Sequence, residues 1–138
     1  MNVFVFGAGV SQTAGLPLNR DLYSGLRQYV LKKARSDKSY VGIKQKWQLL
    51  ERQKILSTRS DFEMNLTRLD IEILKNRNLQ YFRDSMGDAL TDFFNDEHKR
   101  ICATPGSLHN LRKFARRHIE PGDVIITFKY DCLVVRVL

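Results

Sequence analysis

Apolar positions follow two different rhythms along the chain. Val3-Phe4-Val5-Phe6 is an unbroken β-branched and aromatic run closed by Gly7, and Val124-Ile125-Ile126-Thr127-Phe128 is a second such run after the turn residues Glu120-Pro121-Gly122-Asp123. Continuous apolar runs of this length, bounded by turn residues, predict fully buried strands of a parallel sheet, over 2–6 and 124–128. Between them the apolar residues recur every three or four positions. Leu22, Leu26, Tyr29 and Val30 share one helical face, as do Ile43, Trp47 and Leu50, and then Phe62, Leu66, Leu69 and Ile73. Leu79, Phe82, Met86, Leu90 and Phe93 continue at the same spacing to about Phe94, and Thr104-Pro105 opens a further helix carrying Leu108, Leu111, Phe114 and Ala115. Ser60-Asp61-Phe62-Glu63 has the form of a capping box, which sets a helix start near Asp61.

The order is therefore strand, long helical stretch, strand. Parallel neighbours need a long crossover, so the two strands are expected side by side and parallel. The fold expected is α/β, a partial Rossmann-like parallel sheet with a helical insertion between two strands. A doubly wound sheet ordinarily has about five or six strands, so residues 1–138 read as one domain incomplete at its C-terminal end, with apolar sheet surface left open. Cys132 to Leu138 are apolar except Arg136, and propensity does not choose between helix and strand there.

Composition narrows the class. Of 138 residues, 43% are hydrophobic, enough for a core without disulfide or metal staples. Cys102 and Cys132 stand apart, with no Cys/His spacing for zinc, and the opening strand lacks the basic flank of a signal peptide. No metal, no membrane and a reducing cytoplasm are the expectations. Lys+Arg outnumber Asp+Glu by 23 to 15, a net charge of +8. That balance invites a nucleic-acid partner. The cations are spread along helix-surface positions with no recognition motif, so Arg112, Lys113, Arg116 and Arg117 read first as a solvated basic stripe.

The sharpest local signal is Gly7-Ala8-Gly9-Val10-Ser11 directly after the first strand. Glycines there allow a tight reversal and let backbone amides approach a phosphate at a helix N-terminus. Gln12 stands where a dinucleotide-binding G-x-G-x-x-G needs its third glycine, and no P-loop lysine follows. On spacing alone, a phosphate cradle and a plain strand-to-helix turn both remain open.

Gly7-Ala8-Gly9-Val10-Ser11 followed by Gly15-Leu16-Pro17 resembles the GAG-x-S…G-[IL]-P opening of sirtuins and of the sirtuin-like NAD-consuming domains of bacterial defence proteins. Ile126-Thr127-Phe128-Lys129-Tyr130-Asp131 is similar to the I-T-[FT]-N-Y-D segment of the sirtuin-like group. The resemblance covers most of the chain but only the front part of such a domain. It implies NAD as substrate or ligand, with hydrolysis at the nicotinamide–ribose bond. Gly7, Ala8 and Gly9 would face the phosphates, Ser11 would fix the loop, Gly15 would belong to the cofactor-binding set, and Pro17 would shape the segment flanking the nicotinamide pocket. Thr127 and Asp131 would lie at the nicotinamide and ribose end.

The resemblance departs at Lys129, where the family has an asparagine, and the family's later histidine has no counterpart because His98, His109 and His118 all precede the second motif. An ammonium has no acceptor and repels a ribose that is becoming cationic. The expectation is NAD or ADP-ribose binding without cleavage, Lys129 and Asp131 occupying the catalytic positions. A silent module that assembles with another protein or with itself, and a basic nucleic-acid-binding domain, are the alternatives. His109 and His118 read as surface or core-edge residues, Trp47 as core, and Cys132 as a small buried apolar residue.

Overall fold

The computed structural model describes residues 1–7 and 12–127. Among them the chain is mixed α/β and mostly helical, in the order β1 (Val3–Phe6), α1 (Asn19–Lys33), α2 (Ser39–Arg52), α3 (Phe62–Lys75), a short 3-10 turn (Arg77–Leu79), α4 (Gln80–Ala103), α5 (His109–His118) and β2 (Val124–Thr127). Two compact units divide it, Asn19–Phe93 and the combination of Met1–Leu18 with Phe94–Leu138.

The helical unit is held by aromatic packing around a satisfied polar chain. Trp47, Tyr23, Leu26, Leu50 and Leu69 are fully buried. The Trp47 ring lies 5.4 Å from Tyr23 and 6.0 Å from Phe82, the latter edge-on. Trp47 Nε1–H donates to the Tyr23 oxygen (2.8 Å), and the Tyr23 hydroxyl donates to Glu51 Oε1 (2.9 Å). Arg27 grips both oxygens of the same carboxylate, at 2.7 and 3.0 Å. Each buried polar atom of this chain has a partner, which is what makes polar burial tolerable. Burial, reinforced by the neighbouring Glu51, pushes the Tyr23 phenol above its usual range.

α3 starts where the sequence predicts, but Asp61 is its cap rather than Ser60. Asp61 Oδ1 accepts the Met64 N–H at 2.8 Å, and the Ser60 hydroxyl instead accepts from Arg68 Nη1 at 3.0 Å. Asp61 is one residue nearer the helix, so its carboxylate meets the N–H of the third helical residue, Met64, first. α4 runs on to Ala103, past the expected stop at about Phe94. Buried Ile101 and the i,i+3 pairs Lys99–Asp96 and Arg100–Glu97 carry it forward. The helix expected from Thr104-Pro105 begins only at His109, because Gly106 takes a left-handed φ of +79° that a helix interior excludes. Ser107 closes that turn by donating to the Ile101 and Thr104 carbonyls.

In the other unit β1 and β2 pair in parallel, with Val3 opposite Val124, Phe4 opposite Ile125, Val5 opposite Ile126 and Phe6 opposite Thr127. α5 covers one face. Phe6 and Leu111 are buried together against Phe4, Ile119 and Ile125, and the Phe114 ring meets Phe4 and Phe6 edge-on at 6.1 and 5.9 Å. The strands are not buried on both faces as expected. Val3 and Val5 are 57% and 60% exposed, Val124 and Ile126 41% and 40%. Strand alternation sends these four to the face opposite α5. Asp123 fastens the start of β2 to that of β1: its carboxylate accepts the N–H groups of Asn2 (2.6 Å) and Glu120 (3.0 Å), while Val124 N–H donates to the Asn2 carbonyl (2.9 Å). Those two backbone donors hold the Asp123 carboxyl below its usual range.

Candidate functional site

Parallel register makes both strands end at the same edge of the sheet. Phe6, the last residue of β1, stands opposite Thr127, the last residue of β2. The strands that lead into the two sequence motifs thus end together at the carboxyl edge, which is where parallel α/β sheets place ligand-binding loops. Ala8, Gly9, Ser11, Lys129 and Asp131 lie outside the described residues, as does Cys132. Gly7 is exposed, and a Cβ there would meet nothing within 4 Å among the described residues.

After the glycine segment the chain turns back. Gly15 N–H donates to the Gln12 carbonyl (2.9 Å), and Gly15 has φ +97°, a conformation that other residues reach only with strain. On either side of it, Ala14 and Leu16 are buried against Ile101, Leu108 and Phe94, and Pro17 is half-buried. This clamp is what fixes the turn. Its sequence signal is modest, two apolar residues alternating with Gly15, and reading the motif as a ligand cradle passes over it.

Arg100 is a second residue that sequence reasoning misses. Its Nη2 would lie 3.6 Å from a Cβ on Gly15, so a guanidinium stands beside the turn. It is not a bare charge: Glu97 Oε2 accepts from Nε (3.1 Å) and from Nη2 (2.6 Å), and this pairing holds the Arg100 pKa above its usual range. The helical spacing of Glu97 and Arg100 was visible, but their position beside residue 15 is a property of the fold.

The other charged surface of this unit is α5. Gly106, His109, Arg112, Lys113, Arg116 and Arg117 line an open groove of about 500 Å³. Its apolar side, Leu111 and Ala115, is buried, and His109 and His118 are exposed, as the helical pattern predicts. In the helical unit Trp47 is core, also as expected. Cys102 is an exposed free thiol.

Among the described residues no group of three or more His, Cys, Asp or Glu side chains is placed to hold a metal ion. No helix of the described chain is long and apolar enough to cross a membrane. No protein-family model, no curated protein and no solved structure matches the chain.

Proposed function

We propose that this chain is a sirtuin-like NAD-binding domain on a Rossmann-like sheet, which holds NAD or ADP-ribose at the carboxyl edge of its strands without cleaving the nicotinamide–ribose bond. The observation that carries the reading is the pairing of Phe6 with Thr127, which ends the two strands leading into the glycine segment and the I-T-F-K-Y-D segment at the same edge. Two motifs 120 residues apart in sequence act on one ligand only if the strands preceding them are parallel and in this register. The space in front of Gly7, open among the described residues, and the tight return at Gly15 support a backbone-lined anion site, in which amides meet phosphate without a Cβ between them.

The absence of cleavage follows from Lys129, which by the resemblance takes the place of the asparagine beside the ribose. Breaking the nicotinamide–ribose bond leaves positive charge on the sugar. A lysine at about 4 Å and an effective dielectric near 20 opposes that charge by roughly 4 kcal/mol, about a thousandfold in rate. The phosphates sit farther from this charge and are attracted to it rather than repelled.

Binding is tested by ligand-observed NMR with NAD and with ADP-ribose, alongside an assay for free nicotinamide. Saturable binding of both, weakened at least tenfold by Gly9→Asp, with no nicotinamide above background, is the expected result. A folded protein that binds neither ligand at millimolar concentration overturns the reading. Nicotinamide release that Lys129→Ala abolishes overturns its second half.

A further inference from the structure

We infer that the outer face of α5 is a docking site for the phosphodiester backbone of a nucleic acid, separate from the dinucleotide site. α5, His109-Asn110-Leu111-Arg112-Lys113-Phe114-Ala115-Arg116-Arg117-His118, carries four permanent cations and no carboxylate. Arg112 and Arg116, and likewise Lys113 and Arg117, are four residues apart and stack in two adjacent rows. Like charges at that spacing destabilise a helix. Arg112 and Lys113 also lie in its first half, where the helix dipole disfavours cations; only Arg116, Arg117 and His118 in the last turn are favoured.

Elsewhere in the described chain several cations are matched by carboxylates, while others, such as Lys32, Arg35, Lys38 and Arg59, stand exposed at the surface. Arg27 pairs with Glu51, Arg83 with Asp70, Arg100 with Glu97, Lys75 with Glu72 and Lys99 with Asp96. None of the four α5 cations makes an ion pair with a described residue, and all four line one groove together with His109 and Gly106. A local arrangement that costs stability, with no compensating carboxylate among the described residues, points to an external partner of opposite charge.

The chemistry of the face selects the partner. Three of the four cations are arginines, whose planar guanidinium binds phosphate oxygens in pairs. Two parallel rows of regularly spaced cations suit a repeating polyanion better than a single anion. A lipid surface is a poorer match, because membrane-lying helices direct an apolar stripe into the bilayer. Here Leu111 and Ala115 of that stripe are buried and the Phe114 ring, though partly exposed, packs edge-on against Phe4 and Phe6, and no apolar side chain lines the groove among the described residues.

The test is fluorescence anisotropy of labelled 20-nucleotide single-stranded RNA, single-stranded DNA and duplex DNA, at 50 to 200 mM KCl. Four phosphate contacts give a log–log salt slope of about −3 for single strands, a loss of roughly fiftyfold across that range. Arg112→Gln/Lys113→Gln/Arg116→Gln/Arg117→Gln should remove at least tenfold of the affinity at 100 mM and flatten the slope by about 3. Circular dichroism should show this variant folded and no less heat-stable, since its repulsions are relieved. The control Lys32→Gln/Arg35→Gln/Lys38→Gln/Arg59→Gln removes the same net charge from exposed sites elsewhere and should change affinity less than threefold. The RNA and DNA arms tell which backbone is preferred. Three results overturn the inference: equal weakening by the control, tighter binding to phosphatidylserine vesicles than to any nucleic acid, or displacement of the nucleic acid by millimolar NAD.

Discussion

Asn65 is fully buried in the first turn of α3, and its carboxamide ties down the preceding loop. Oδ1 accepts the Ser57 N–H at 2.7 Å, while Nδ2 donates to the carbonyls of Ser57 (2.9 Å), Ser60 (3.1 Å) and Asp61 (2.9 Å). Asn65→Asp keeps the shape and the Ser57 N–H bond but sets a buried carboxylate oxygen against three carbonyl oxygens. Losing two donors costs about 1 kcal/mol each, and the buried, repelled charge adds a comparable amount or more, so about 3–5 kcal/mol is expected at pH 7.5. The new carboxyl escapes by taking up a proton, which raises its folded-state pKa above the unfolded value near 4. A raised pKa means that the folded state binds more protons, so the variant regains stability as pH falls through that pKa. The protonated acid also restores one donor.

Urea unfolding followed by circular dichroism at pH 7.5 and pH 5.0 measures this, with each variant referred to the parent at the same pH. The gap between parent and Asn65→Asp should shrink by about 2 kcal/mol at the lower pH, whereas Asn65→Ala, which cannot titrate, should cost about 3 kcal/mol at both. A gap under about 1 kcal/mol at pH 7.5, or one that does not move with pH, would refute the account of Asn65 as the donor that holds the loop.

Gly15→Ala should lower stability by about 1–2 kcal/mol through its left-handed backbone alone, since the nearest atom to the added Cβ is an Arg100 side-chain nitrogen at an ordinary 3.6 Å; a thermal midpoint equal to the parent's would contradict this. Asp123, whose carboxyl is held below its usual range by the Asn2 and Glu120 amides, stabilises the fold above about pH 4 and loses that effect as pH falls further. The parent should therefore lose stability on acidification from pH 5 to 2 more steeply than Asp123→Asn, and identical acid profiles would show that the clamp contributes nothing.

The sequence by itself determined the elements and their order. Runs of β-branched and aromatic residues made strands, and three-to-four spacing made helices, because both periodicities are local consequences of backbone geometry. The cap at Asp61, the helix end at Ala103 and the start of α5 at His109 needed finer knowledge. Each turned on which of several neighbouring polar groups or backbone angles won a competition worth about 1 kcal/mol, and pattern does not resolve that. Only the tertiary structure decided that Phe6 faces Thr127 and that Arg100 stands beside Gly15, since register and helix placement depend on contacts between residues far apart in the chain. It alone showed which residues, Val3, Val5, Val124 and Ile126, form the open apolar face that an incomplete sheet was expected to leave. Asn65 and the Tyr23–Glu51–Arg27 chain were equally invisible, for a polar side chain becomes structural only when folding removes the water that would otherwise satisfy it.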